Sequence, residues 1–163
     1  MLRKSRLASC TLSTAFLLLG VSIRLASASD AFYLGNWKIT SAVVAPWSDP
    51  LRRPDADEMK TLVGRSVVFR ANSIRGPKAL ACSTLRYKIR DDPADMLFQG
   101  AFGEMHESNK TSDPAKIAAA IGFRGSRWKT LETGCGNEID YHFLDSTNAA
   151  FGLNDYVYFL KKQ

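Results

Sequence analysis

The chain has 163 residues, with 22 Lys and Arg against 16 Asp and Glu, a formal charge of +6 and 45% hydrophobic residues. That composition excludes a disordered polymer, and the length suits one domain rather than two. The excess positive charge is not a nucleic-acid signal, because much of it sits at Arg3, Lys4, Arg6 and Arg24 and no basic stripe follows.

Those four cations belong to a leader. Residues 1–6 are basic with no acid, Leu7–Ile23 is an apolar run diluted by Ser and Thr, and Ala26 and Ala28 make a small-x-small cleavage pattern. Together these are the parts of an export signal over residues 1–28, with an uncleaved anchor as the alternative. Cys10 in Leu7-Ala8-Ser9-Cys10 looks like an acylation site, but there the apolar run follows the cysteine instead of preceding it. Cleavage after Ala28 leaves a single domain, 29–163, of 135 residues and net charge +2.

In chain order, Trp37, Ile39 and Val43 place one face of a first strand inward, and Pro46 and Pro50 end it. Residues 47–57 read as a Pro- and Asp-rich loop. Asp55 caps a short helix through Leu62 that Gly64 stops, and 65–70 is a strand by residue type. The 80–90 segment alternates, with Leu85, Tyr87 and Ile89 on one face, and predicts a half-buried strand. Residues 96–102 are apolar and predict an extended segment, with a helix as the alternative, followed by a polar surface loop over 104–112. Asp113 and Pro114 open a two-turn helix running to Gly122. Strands then follow at 128–133, 138–144, 149–153 and 156–160, separated by turns. The sum is a mainly β, antiparallel, barrel-like domain with one or two short helices.

After cleavage two cysteines remain, Cys82 and Cys135, and an even pair in an oxidising compartment predicts a disulfide. Two buried thiols are the alternative. Closing a loop of this length is worth about 4 kcal/mol in the chain-entropy model.

Gly35-Asn36-Trp37, at the head of the first strand, resembles the G-x-W motif of the lipocalin and calycin barrels. Asn154-Asp155-Tyr156 faintly resembles their T-D-Y motif, with Asn in place of Thr, at the end of the chain and with no following Arg. The resemblance implies that Trp37 closes one end of the barrel. It admits both ligand carriers and protein inhibitors.

Chemistry is sparse. His142 and Asp140, two apart on a strand, are the candidate acid–base pair of a hydrolase, against a plain polar pair on the barrel's outer face. No serine elbow accompanies them. Glu104-Met105-His106-Glu107 lacks a fourth ligand at informative spacing and reads as a polar loop, so no metal and no cofactor are expected. The expectation is a non-enzymatic exported barrel, periplasmic or secreted from a bacterium and not inserted in a membrane. It would bind a small apolar or amphipathic ligand between inward residues of its 80–89 and 138–144 strands. Trp47 at the rim, Tyr87 and Tyr141 are the candidate contacts. The alternative is an interaction module, such as an inhibitor of a secreted lysozyme or protease, presenting the 45–57 or 103–113 loop to an envelope protein.

Overall fold

A computed structural model describes residues 31–163, and the expected leader lies outside them. Eight strands form one antiparallel sheet: β1 (Gly35–Val44), β2 (Ser66–Arg70), β3 (Ser73–Arg75), β4 (Lys88–Asp92), β5 (Trp128–Glu132), β6 (Tyr141–Phe143), β7 (Asn148–Leu153) and β8 (Tyr156–Lys162). Their spatial order is β3-β2-β1-β8-β7-β6-β5-β4. This is an up-and-down meander, curled into a half-barrel, in which the first and last strands pair and the break falls between β3 and β4.

The segment between β3 and β4 spans that break. Cys82 bridges Ile74 of β3, while the Arg86 amide donates to the Thr133 carbonyl beyond β5. The Cys82–Cys135 disulfide forms and fastens this segment to the β5–β6 loop. Regular strand begins only at Lys88, later than the alternation predicts, because these residues bond first to one edge and then to the other. Ile89 alternates toward the inside but stands 45% exposed beside the break.

The inner face is filled. Trp37, Ile39, Leu131, Tyr141, Phe151, Tyr158 and Leu160 are almost wholly buried in one cluster. Trp37 lies at one end: its Nε1 donates to the Tyr33 carbonyl at 2.8 Å, its ring packs on Phe143, and the Lys162 ammonium sits 5.6 Å above it. At the other end lies α1 (Ala56–Leu62), capped by Asp55 as expected, which inserts Leu62. Its Glu58 accepts a hydrogen bond from the Tyr158 hydroxyl at 3.1 Å. The middle of the barrel is therefore occupied by the protein's own side chains, and the space left between the 80–89 and 138–144 segments is a groove at the surface lined by Arg86, Tyr87, Lys88, Glu138 and Asp140. Tyr141, expected to touch a ligand, is a core residue at 1% exposure.

The outer face is covered too. A short 3-10 turn (Ala94–Met96) leads into α2 (Leu97–Ser108), and α3 (Pro114–Ala120) follows with Asp113 as its cap. Leu97, Phe98, Phe102, Ala118, Phe123, Trp128, Ala150 and Val157 form this second core. Of the segment expected to be extended, Leu97 is extended, Phe98 to Gly100 form a left-handed turn, and right-handed helix runs from Ala101 through the expected 104–112 loop as far as Ser108. Phe102 and Met105, three residues apart on the regular helix, face the sheet, and Phe98 joins them from the turn before it.

Candidate functional site

α2 begins abnormally. Phe98 (φ 51°, ψ 50°), Gln99 (φ 58°, ψ 32°) and Gly100 (φ 87°, ψ 7°) form a left-handed turn before the right-handed helix resumes. Each non-glycine residue held there costs about 1–2 kcal/mol, so something must over-determine the turn. His142 does so. Its Nε2 accepts the Phe98 amide at 2.9 Å, and its Nδ1 pairs with the Thr130 hydroxyl at 2.9 Å. The Phe98 ring is then clamped by Trp47, Phe102, Phe123 and the His142 imidazole, with centroids 4.7–5.5 Å away.

His142 is fully buried, and burial pushes its pKa down to about 3. The Asp92 charge opposes that shift and Arg90 adds to it. It is a neutral strut with both nitrogens engaged. The dyad with Asp140 does not form, because Asp140 turns to the Arg90 guanidinium at 3.5 Å. Arg90 also meets Asp92 at 3.0 Å and pairs with Glu132.

Only four non-glycine residues have positive φ among the described residues: Phe98, Gln99, Glu138 and Asn154. All four line one cleft of about 250 Å³ at the outer rim, with Trp47, Ile139, Asp140 and Leu153 among their neighbours. Three separate stretches of chain, the α2 turn, the β5–β6 loop and the β7–β8 turn, bring their strained backbone there. Gly152 lets the wall close tightly: a Cβ at this position would sit 3.0 Å from the Trp47 indole and 3.2 Å from the Phe98 ring, so either ring would have to shift. The cleft is bolted by side-chain hydrogen bonds. Trp47 Nε1 donates to the Asn154 carbonyl at 3.0 Å, Gln99 Nε2 to the Glu138 carbonyl, and Asn154 Nδ2 to Glu58 at 2.7 Å. Arg52 grips Asp155 through both carboxylate oxygens at 2.8 Å, which pins the 45–55 loop behind Trp47.

Of the residues expected to contact a ligand, Trp47 lines this cleft. Tyr87 lines a larger and more open groove beside it that shares Gln99, Glu138 and Asp140. Tyr141 belongs to neither. The cleft's other walls, Gln99, Glu138 and Asn154, carry no sequence signal beyond polarity, since left-handed backbone at Gln or Glu has no residue-type signature. His106 sits on α2, with Nδ1 2.7 Å from the Ser112 carbonyl. Among the described residues no group of three or more His, Cys, Asp and Glu side chains is placed to hold a metal. No described helix is long and apolar enough to cross a membrane.

Comparison with protein-family models, curated proteins and solved structures returned no match. A curled antiparallel sheet stapled by a disulfide is compatible with an exported binding protein.

Proposed function

We propose that this chain is an exported, non-enzymatic binding protein that seats a small amphipathic ligand in the Trp47 cleft, outside the barrel. The observation that carries the proposal is the convergence of the four strained residues on that one cleft. Strain of this kind persists where the surrounding structure holds a ligand-clamping geometry in advance. The volume matches roughly eight waters at liquid density, about 30 Å³ each, which suits a small organic molecule. Its walls mix rings and aliphatic groups with five polar side chains, so an amphipathic occupant fits better than a purely apolar one. A periplasmic or secreted address follows from the leader and is supported by the disulfide. A lipocalin-like origin belongs to the same proposal, and the strand order and the position of Trp37 under Lys162 support it.

The test is native mass spectrometry of the protein from its exported fraction, beside Trp47→Ala. The expected result is a small-molecule adduct on the native protein that Trp47→Ala loses. A bare chain in both spectra, with no small molecule extractable from the native fraction, overturns the reading.

One observation favours the interaction module instead. Leu51 is 95% exposed at the tip of the braced 45–55 loop. If that reading is right, Leu51→Asp abolishes inhibition of a secreted lysozyme or protease while the cleft adduct is unaffected. Absence of inhibition by the native protein across such enzymes removes it.

A further inference from the structure

Resting on the cleft reading, we infer that the ligand is an organic cation: an ammonium or similar donor on an apolar body. The inference comes from which hydrogen-bonding groups of the cleft are already engaged. Each side-chain nitrogen facing it already donates a hydrogen bond to the protein, and the three amides keep only their second N–H: Trp47 to the Asn154 carbonyl, Gln99 to the Glu138 carbonyl, Asn137 to the Ala79 carbonyl at 2.9 Å and Asn154 to Glu58. The strained Phe98 amide is taken by His142.

The charged groups left over are acceptors. The Asp140 and Glu138 carboxylates and the side-chain oxygens of Gln99 and Asn154 accept no hydrogen bond from the described residues. Asp140 matters most. Its side chain is only 14% exposed, yet its one polar contact is Arg90 at 3.5 Å, and Arg90 is shared with Asp92 and Glu132. The Asp140 oxygens still reach the cleft, so a donor entering there can take up a partly desolvated carboxylate that has no hydrogen bond of its own. Burial raises the Asp140 pKa, Arg90 works against this, and Asp92 adds to it.

The lining contributes two carboxylates and no Lys or Arg. An anion would therefore meet like charge, with only neutral amide N–H groups as donors, so a fatty acid or phosphate is disfavoured. The Trp47 and Phe98 rings, 5.1 Å apart and tilted by 44°, offer an aromatic wall to the apolar body and to the cation's edge.

The test uses the exported, disulfide-bonded protein at neutral pH with four probes: 2-phenylethylamine, 2-phenylethanol, 3-phenylpropanoate and methyl β-glucoside. Binding is read by calorimetry and by tryptophan fluorescence, to which half-buried Trp47 is the responsive contributor because Trp37 and Trp128 are buried. The amine should bind at least tenfold tighter than the alcohol and weaken with added salt, while the carboxylate does not bind. Asp140→Asn should bring the amine down to the alcohol's affinity and leave the alcohol unchanged, with the circular dichroism of the native fold retained. Equal or tighter binding of the alcohol or the carboxylate, or an amine affinity indifferent to Asp140→Asn, overturns the cation assignment and leaves the cleft reading standing. Tightest binding of the glucoside replaces the cation by a sugar at the same site. No response to any probe, while the native fraction carries a Trp47-dependent adduct, also removes the cation class alone. No response and no adduct remove both.

Discussion

The two faces of the sheet are packed equally well and for different ends. On the inner face the rings interlock and the large residues follow strand alternation, apart from β1, where a bulge after Ile39 turns Ala42 inward and leaves Val43, expected inside, 38% exposed. On the outer face the chain bends into left-handed turns, buries a neutral histidine and leaves a carboxylate short of partners, all around one cleft. Dense packing inside removes the barrel lumen as a ligand seat and supplies the stability that tolerates strain outside. Regions that break local rules without evident structural gain are where function is expected.

The contrast can be broken from the inside first. Phe151 is fully buried, stacked 5.0 Å from Tyr158 and tilted against Tyr141. Phe151→Ala should cost about 3–5 kcal/mol in urea unfolding and leave probe affinity at the cleft unchanged wherever the protein remains folded. A loss of cleft affinity larger than the loss of stability would show that the two faces are coupled.

The next effect separates the faces by pH. His142 is neutral in the fold with a pKa of about 3, against about 6.5 when unfolded. The unfolded chain therefore binds the extra proton first, and the stability His142 contributes is fully present above about pH 6.5. It is lost as pH falls toward 3, at up to about 1.4 kcal/mol per unit. Asp140 runs the other way: its raised pKa makes the folded state take up a proton on acidification, which offsets part of the slope. By the same sign, Asp140→Asn should stabilise the protein at neutral pH. His142→Gln should flatten the acid limb of a melting-temperature profile, and an unchanged limb would assign the acid sensitivity to other groups.

A smaller change concerns the inner face alone. The Tyr141 hydroxyl is buried with no partner. Tyr141→Phe should be neutral or stabilising by about 1 kcal/mol, because the desolvation cost of the orphan group disappears. A clear loss in thermal unfolding would show that the hydroxyl is satisfied in solution.

The inner face was largely legible in the sequence. Trp37, Ile39, Tyr141 and Phe143 are placed by period-two alternation, and Asp55 and Asp113 start the helices where capping chemistry puts them. The strand boundaries at 88 and 141 were not, since there a disulfide and a broken ladder override residue preference. The cleft was legible only through Trp47, an aromatic in a polar loop. The left-handed turn at Phe98 arises from a tertiary bond to His142, forty-four residues on, and an apolar segment alone cannot announce it. His142 and Asp140 do not pair because Asp140 falls just outside β6 and turns to Arg90, while His142 bonds the Phe98 amide and the Thr130 hydroxyl.

The finest test asks whether the strain is kept for the ligand. Glu138 holds φ 56°, its carboxylate has no partner among the described residues, and its side chain is exposed. Glycine adopts that backbone without a Cβ penalty, so Glu138→Gly should stabilise the fold by about 1 kcal/mol in chemical denaturation. If Glu138 were merely a turn residue, nothing else would change. If its carboxylate helps to hold a cation, the more stable variant should bind 2-phenylethylamine a few-fold more weakly and 2-phenylethanol as before. The sequence would then be retaining a residue that costs stability because of its charge. Equal affinity for the amine would leave Asp140 as the sole anionic contact and reduce the strain at Glu138 to loop geometry.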